Sequence, residues 1–389
     1  MADRKRKGLF ISLDHYISSN DISEKNISNG ILKKIAKQIE CFRNYGYDMD
    51  ILCPYHSRNH RLHSIIRRLP FSGILSYGKQ EIELAGDYSF IYLRSPWFMN
   101  SDTPAFLKNM KKKNPLIKTI VEVPTYDPTW GRGEINHWHM WPLYWKNKKA
   151  VRKMAPYVDR VMTFSLDEKI YGVQTICTSN AIDPLSIRPV NHTEAAPNTI
   201  QLIACSSMAF WHGYDRILNG MHDYYESKNI PYKILFHVVG DGEELTNYRA
   251  IIDKYNLGSY VFLYGYKSGD ALDDIYNRAD IAIDSLGRHR SKVYYNSSLK
   301  GKEYLAKGLP VISGVENELD YDPGFPYYLR VAADESPINM DDIIDFYEKL
   351  YSGNKSRPEI VQYISEYAAS HFSYKVALKP VVDFIEGEE

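Results

Sequence analysis

The sequence predicts an α/β chain folded as two doubly wound halves, and three observations lead there. Apolar runs of strand length alternate with amphipathic stretches of helix length along most of the chain. The alternation breaks over residues 183–199, a polar stretch punctuated by Asp183-Pro184, Arg188-Pro189 and Ala196-Pro197 that suits an interdomain connection. With 389 residues, 44% hydrophobic and 13% aromatic, the chain has material for two large cores, and global disorder is excluded.

In the first half, apolar runs at residues 8–13, 49–53, 90–93, 117–123 and 158–164 read as strands, and the helix-length connections between them make the sheet parallel. Residues 30–46 place Ile31, Ile35, Ile39 and Phe42 on one face and stop at Gly46, the pattern of a helix laid on that sheet. The second half repeats the scheme with runs at 200–205, 234–239, 261–264, 279–283 and 310–313. A last periodic segment, 374–385, follows. The expected divisions are residues 1–183, 184–371 and a closing segment 372–389.

Lys and Arg number 48 against 48 Asp and Glu, and zero net charge speaks against a protein whose task is to neutralise a nucleic acid backbone. Cys41, Cys53, Cys177 and Cys205 are far apart and form no Cys-x-x-Cys pair, so neither a disulfide framework nor a thiolate metal site is indicated. Asp48/Asp50 and Asp320/Asp322 form Asp-x-Asp pairs, and His60/His63 and His137/His139 lack companion ligands; no metal is expected at any of them. The apolar run behind the basic start is broken by Ser12 and Asp14, too short for a signal segment, and no run reaches the ~18 residues of a membrane span. A cytoplasmic protein is expected, with room for peripheral contact at the inner face of the cell membrane.

The most informative block is 287–310. Between Arg288 and Lys302 it carries five Lys and Arg and no acid. Ser297 or Ser298 can cap a helix that Gly308 stops, and a helix start beside Lys300 and Lys302 attracts anions. A phosphate-bearing ligand is expected there. Gly240-Asp241-Gly242 follows a strand and precedes a helix pattern, but the third glycine of a dinucleotide fingerprint is replaced by Leu245, so the expected role is a tight turn. Residues 126–146 hold four of the six tryptophans, a surface for stacking on sugar rings, an interfacial anchor, or a satellite core.

Taken in order, these pieces resemble the retaining nucleotide-sugar glycosyltransferases of the GT-B fold, in the bacterial group 1 or family 4-like set that builds surface polysaccharides. The resemblance rests on the Gly240-Asp241-Gly242 turn, then Val261-Phe262-Leu263-Tyr264-Gly265, Leu272, Tyr276 and Ala279-Asp280-Ile281. It continues with Lys300-Gly301-Lys302-Glu303, Ala306-Lys307-Gly308-Leu309-Pro310 and the hinge-like Asn180-Ala181-Ile182-Asp183. It implies two Rossmann-like doubly wound domains facing each other across a cleft. The N-terminal domain would bind the acceptor, the C-terminal one the nucleotide sugar, and the closing segment would be a helix crossing back to the first domain.

By the same resemblance, Glu303 takes the donor ribose. Tyr295 stands where the family has a second glutamate, and Ser207 and His212 stand where it has its phosphate-binding Arg and Lys. The cations must then come from the basic block, with Lys302, Lys300 and Arg290 as catalytic candidates. Gly30, His212, Gly240, Gly242, Tyr266, Tyr295, Asn296, Ser297, Ser298, Leu299 and Glu303 are the donor-binding candidates. Thr125, Tyr126 and Asp127, at a strand end, are the acceptor-binding candidates. The implied activity is transfer of a hexose from a nucleoside diphosphate, UDP before GDP, to a glycan or lipid-linked hydroxyl with retention. No metal or resident cofactor and no nucleic acid partner are implied, and the oligomeric state is left open. The alternatives are a catalytically silent partner subunit, and a nucleotide-sugar epimerase or nicotinamide oxidoreductase on a similar scaffold.

Overall fold

Strands covered on both faces need apolar residues at nearly every position, which accounts for the runs read above. The structure is a computed structural model that describes residues 6–13, 30–54, 88–94, 99, 101–124, 126, 141–192, 197–227, 229–351, 353 and 355–388. The chain divides into two units, Met1–Ser179 with Tyr374–Glu389, and Asn180–Ser373.

In the first unit β1 (Lys7–Ser12), β2 (Asp48–Leu52), β3 (Tyr88–Arg94), β4 (Lys118–Val123), β5 (Arg160–Thr163), β6 (Lys169–Ile170) and β7 (Val173–Cys177) form one sheet of order β2-β1-β3-β4-β5-β7-β6. All neighbours are parallel except β6 and β7. Alternate residues serve opposite faces. Phe10, Phe90, Tyr92, Ile120 and Met162 pack with Ile35, Ile39 and Phe42 of α1 (Gly30–Asn44). Leu9, Ile11, Ile91, Leu93 and Val121 pack with Leu107 and Met110 of α2 (Asp102–Lys113) and with Ala150 and Val151 of α3 (Trp141–Met154).

Gly46 ends α1 at φ 89°, and the Tyr47 N–H reaches the Phe42 carbonyl at 3.2 Å while the Gly46 N–H reaches Arg43 at 2.9 Å, a paired C-terminal cap that needs a left-handed residue. Ile31 was expected on the buried face but is 40% exposed, since it stands in the first turn, ahead of the stripe pressed on the sheet. The β6/β7 hairpin escapes the apolar pattern because its strands are short and half polar; Tyr171 and Gly172, at φ 55° and 83°, make its turn.

In the second unit β8 (Thr199–Cys205), α4 (Asp215–Tyr225), β9 (Lys233–Val239), α5 (Leu245–Lys254), β10 (Val261–Leu263), α6 (Asp270–Tyr276), β11 (Ile281–Ile283), α7 (Leu299–Ala306), β12 (Val311–Ser313), β13 (Tyr328–Arg330), α8 (Met340–Tyr351) and α9 (Arg357–Phe372) follow in turn. The sheet is wholly parallel, in the order β10-β9-β8-β11-β12-β13. The short edge strand β13 was not read from the sequence. The last helix, α10 (Tyr374–Glu386), belongs to the first unit, where Leu378, Val381 and Val382 join the α1 side of its core. The divisions expected at 183/184 and 371/372 fall at 179/180 and 373/374. Asn180 and Ile182 are already bonded within the second unit, to Ser297 and to the Phe372 carbonyl.

One buried charge cluster stabilises the first unit. Glu122 of β4 is 0% exposed. Its Oε2 accepts from Tyr92 Oη and Gln38 Nε2, both at 2.7 Å, while Oε1 lies 3.3 Å from Arg94 and 3.5 Å from Lys34. Burial alone would raise this carboxyl, but Lys34 and then Arg94, aided by the two hydrogen bonds, outweigh it and hold Glu122 below its ordinary 4.5. The carboxylate therefore contributes stability above pH 4.5, and that contribution is lost as the pH falls through its lowered value. Glu122→Gln, which removes a buried negative charge from beside Lys34 and Arg94, is expected to destabilise the protein by about 3–5 kcal/mol, read as a lower urea midpoint at pH 7.

Candidate functional site

The order of the second sheet contains its own pointer. β8 continues leftward through β9 and β10 and rightward through β11, β12 and β13, so the loops leaving the carboxyl ends of β8 and β11 diverge and open a crevice between them. Ligands of open α/β sheets bind at such a point.

The loops around this crevice are locked by close backbone approach. At Gly240, φ is 128° and a Cβ would lie 1.8 Å from the Ser206 carbonyl; at Gly242 it would lie 2.4 Å from the Met208 carbonyl. Met208 donates its N–H to the Asp241 carbonyl at 2.9 Å, and Glu244 donates back to Met208 at 3.0 Å. Gly240 and Gly242 thus form a tight turn that fastens the loop after β9 to the loop after β8. On the other side, Leu286 donates to the His212 carbonyl at 2.7 Å, and a Cβ at Gly213 would meet the Gly287 nitrogen at 2.6 Å. Tyr304 of α7 completes the lock: its Oη accepts from the Cys205 N–H at 2.9 Å and donates to the Cys205 carbonyl at 3.1 Å.

Within this frame the basic block separates into distinct roles. Lys300 lies 3.4 Å from Asp284 Oδ1 and donates to Ser285 Oγ at 3.3 Å. Burial lowers its pKa below 10.5, and Asp284 opposes that shift. Asp284 is 1% exposed, and its Oδ1 makes no hydrogen bond. Arg288 lies over the Trp211 ring at 5.7 Å, with its Nε buried and unbonded. Burial also lowers Arg288, against the opposing charge of Asp284. The imidazole of His212 is pushed down to about 3 by burial, then by Lys300 and Arg288. Its Nδ1 accepts from the Ala209 N–H at 3.1 Å, which leaves the proton of the neutral ring on Nε2.

Lys302 and Arg290, expected as catalytic cations, are each held by acidic side chains. Lys302 is 3% exposed, and its Nζ donates to both oxygens of Glu318 at 3.0 and 3.1 Å and to Ser297 Oγ at 2.8 Å. Arg290 bonds both carboxylate oxygens of Asp215, at 2.9 and 2.7 Å, and both of Glu335. Their acidic partners lie far off in sequence, so the run of residues 288–302 looked more positive than its surroundings are.

Ser298 is the cap of α7 and accepts from Gly301 N–H at 3.2 Å, as the sequence suggested. Ser297 instead joins Lys302, Glu318 and the Asn180 N–H, which it accepts at 2.7 Å. Leu299 and Glu303 are exposed on α7, and Glu303 is near enough to Cys205 to add to the burial that raises this thiol. Tyr295 and Asn296 run beside Glu316, with the Asn296 N–H on its carbonyl at 2.8 Å. Tyr266 follows β10 and is 78% exposed. Gly30 opens α1 in the first unit. Tyr126, also there, is half-buried with its ring edge-on to Tyr171 at 5.8 Å. Thr125 and Asp127 lie outside the described residues, as do His60, His63, His137 and His139.

The Asp-x-Asp pairs serve local structure: Asp50 accepts from Tyr88 Oη at 2.5 Å, and Asp320 bonds Tyr328 and Arg330. Among the described residues no group of three or more His, Cys, Asp or Glu is placed to hold a metal ion, and no helix is long and apolar enough to cross a membrane. Sequence reasoning missed Asp284, although the signal was present: an acid directly after the apolar run 281–283 marks a charged group at a strand's carboxyl end.

Residues 192–316 match the family model described as Glycosyl transferases group 1. No curated protein is similar enough to match the sequence. Among solved structures, the sucrose-phosphate synthase of Thermosynechococcus elongatus is 13% identical with a TM-score of 0.62, covering 99% of each chain. A glycosyltransferase from Rickettsia africae ESF-5 is 12% identical with a TM-score of 0.59, covering 99% of this chain and 98% of that one. Anabaena HepE in complex with UDP is 9% identical with a TM-score of 0.58, covering 98% of this chain and 100% of that one. The chain has the GT-B fold of these proteins, an α/β architecture of two domains with parallel sheets, and its second unit carries the region that matches the glycosyltransferase family.

Proposed function

We propose that the protein is a glycosyltransferase that moves a hexose from a nucleoside diphosphate, with UDP as the nucleotide, to a hydroxyl of a glycan or lipid-linked acceptor with retention at the anomeric carbon. The observation that carries this reading is the pair of cations, Lys300 and Arg288, gathered about the buried Asp284 at the crevice between β8 and β11. The family match over residues 192–316 and the UDP in the HepE structure support the donor class. Surface polysaccharide synthesis in the cytoplasm is the setting we assign.

In this mechanism the diphosphate lies against Lys300, Arg288 and the start of α7, with the His212 Nε2–H as a neutral donor. Glu303 takes the ribose, and Gly240, Gly242, Tyr266 and residues 295–299 surround the donor. As the glycosidic bond breaks, the sugar becomes oxocarbenium-like and the leaving diphosphate gains negative charge. Cations fixed beforehand stabilise that charge more than they stabilise the ground state, and this difference lowers the barrier. Lys302 and Arg290 act at one remove. Lys302 ties the segment before α7 to Glu318, and Arg290 ties the loop after β11 to Asp215 and Glu335. The acceptor falls to the first unit, with Thr125, Tyr126 and Asp127 as its candidate contacts. No resident metal or cofactor enters this scheme.

Lys300→Ala is expected to lower the transfer rate by about 10²–10³-fold and, because it takes a counter-charge from the buried Asp284, to lower the melting temperature as well. An unchanged rate would remove Lys300 from the donor site. Lys302→Ala is expected to act on the fold instead, lowering stability by about 3–5 kcal/mol because Glu318 loses its buried partner. Because Lys300 must be charged to hold a phosphate and its pKa is lowered, the alkaline limb of the kcat/KM profile for the donor is expected below pH 10.5, moving upward in Lys300→Arg. Activity is expected to survive EDTA. If the purified chain neither transfers sugar from nor hydrolyses any of a panel of nucleoside diphosphate sugars, while still binding UDP, the silent-partner alternative holds.

A further inference from the structure

Helix α3 carries a feature that sugar transfer does not use. Its sequence, WPLYWKNKKAVRKM, contains Lys146, Lys148, Lys149, Arg152 and Lys153 and no acid, and residues 135–158 as a whole contain no Asp or Glu. Helical spacing divides these residues sharply. Tyr144, Asn147, Ala150, Val151 and Met154 are buried against the sheet and α2, whereas Trp141, Trp145, Lys149, Arg152 and Lys153 occupy the opposite, exposed face. The two indoles are 38% and 58% exposed, and each stands edge-on to Tyr144, at 5.7 and 5.4 Å. Neighbouring α2 ends in Lys111, Lys112 and Lys113. Lys111 is held by Asp159 at 2.6 Å, whereas Lys112 and Lys113 are exposed, and Leu116 just beyond them is 88% exposed.

A large apolar ring with a polar N–H next to lysines is the composition of a membrane-water boundary: indoles settle at the headgroup level and cations pair with anionic headgroups. A polyanion without aromatic bases would use the lysines and arginine but gain little from two adjacent indoles, and a single-stranded nucleic acid, which stacks its bases on such rings, has no use for the exposed leucine. The chain has zero net charge, so the positive field of this face is local. We propose that the outer face of α3, with the carboxyl end of α2, is a docking surface for an anionic lipid bilayer, through which the first unit rests on the membrane without crossing it. Both helices are crossovers of the parallel sheet, so their amino ends lie at the carboxyl edge of the strands; Asn147 is bonded there to the Met99 N–H in the loop region after β3, at 3.0 Å. Trp141 and Trp145 are therefore on the strand-end side of the unit, where an acceptor presented at a bilayer would be within reach.

The test is flotation of the full-length protein with vesicles of phosphatidylcholine alone and with about one third phosphatidylglycerol. Binding is expected only to the anionic vesicles and is expected to disappear in ~0.5 M NaCl. Each lysine near an anionic surface is worth about a fivefold change in partition, so Lys149→Glu with Lys153→Glu is expected to reduce binding by more than tenfold. Trp141→Ala with Trp145→Ala is expected to reduce it about tenfold even at low salt, with circular dichroism and melting unchanged. The proposal falls if the parent protein binds neutral and anionic vesicles alike or neither. It also falls if the charge-reversed and indole-free proteins float like the parent, or if single-stranded RNA binds through the same residues and vesicles do not. None of these outcomes depends on donor binding, so they leave the sugar-transfer reading to its own tests.

Discussion

Close contact between backbones at the carboxyl edge of the second sheet is the constraint on which the candidate site depends. The loop after β8 is clasped on one side by the turn at Gly240 and Gly242 and on the other by the Leu286–Gly287 segment against His212 and Gly213. A side chain at Gly213, Gly240 or Gly242 would collide with main-chain atoms, which cannot swing away as a side-chain terminus can. The carboxyl end of β8, its loop and the loop after β11 therefore keep one geometry. Lys300, Arg288 and His212 acquire fixed positions from it, and fixed charges, which need not reorganise as a reaction proceeds, make effective catalysts.

Much of the architecture was legible because burial on both faces imposes continuous apolar runs. The ten strand-length runs correspond to β1–β5 and β8–β12, and the stop at Gly46 and the cap at Ser298 follow from backbone chemistry that a single residue announces. The misses have a common origin. The β6/β7 hairpin and β13 lie toward the sheet margins, where half-polar strands of two to five residues carry no clear period.

The site was legible as a region and much less so as a set of contacts. The basic run 288–302 was conspicuous, but charge compensation is a three-dimensional property. Asp215, Glu318 and Glu335 are distant along the chain and adjacent in space to Arg290 or Lys302. What distinguishes Lys300 is that its counter-charge, Asp284, is buried at the crevice itself. No spacing rule in one dimension could have separated these lysines, since Lys300 and Lys302 differ by two residues and so project from α7 in different directions.

The chain enters the second unit at Asn180–Ile182 and leaves it at Phe372–Ser373, and these ends are paired: the Ile182 N–H bonds the Phe372 carbonyl at 2.9 Å, and Ile182 bridges Ser373. Topologically the second unit is an insertion whose ends meet. Because α10 supplies Leu378, Val381, Val382, Phe384 and Ile385 to the core of the first unit, that core stays open on one face until the whole insertion has been synthesised. During synthesis from the amino end, the inserted unit has its full complement of strands before the unit that precedes it has its last helix. Order of completion thus runs against order of sequence: the inserted half can mature first, and the amino-terminal half closes only when the final helix arrives.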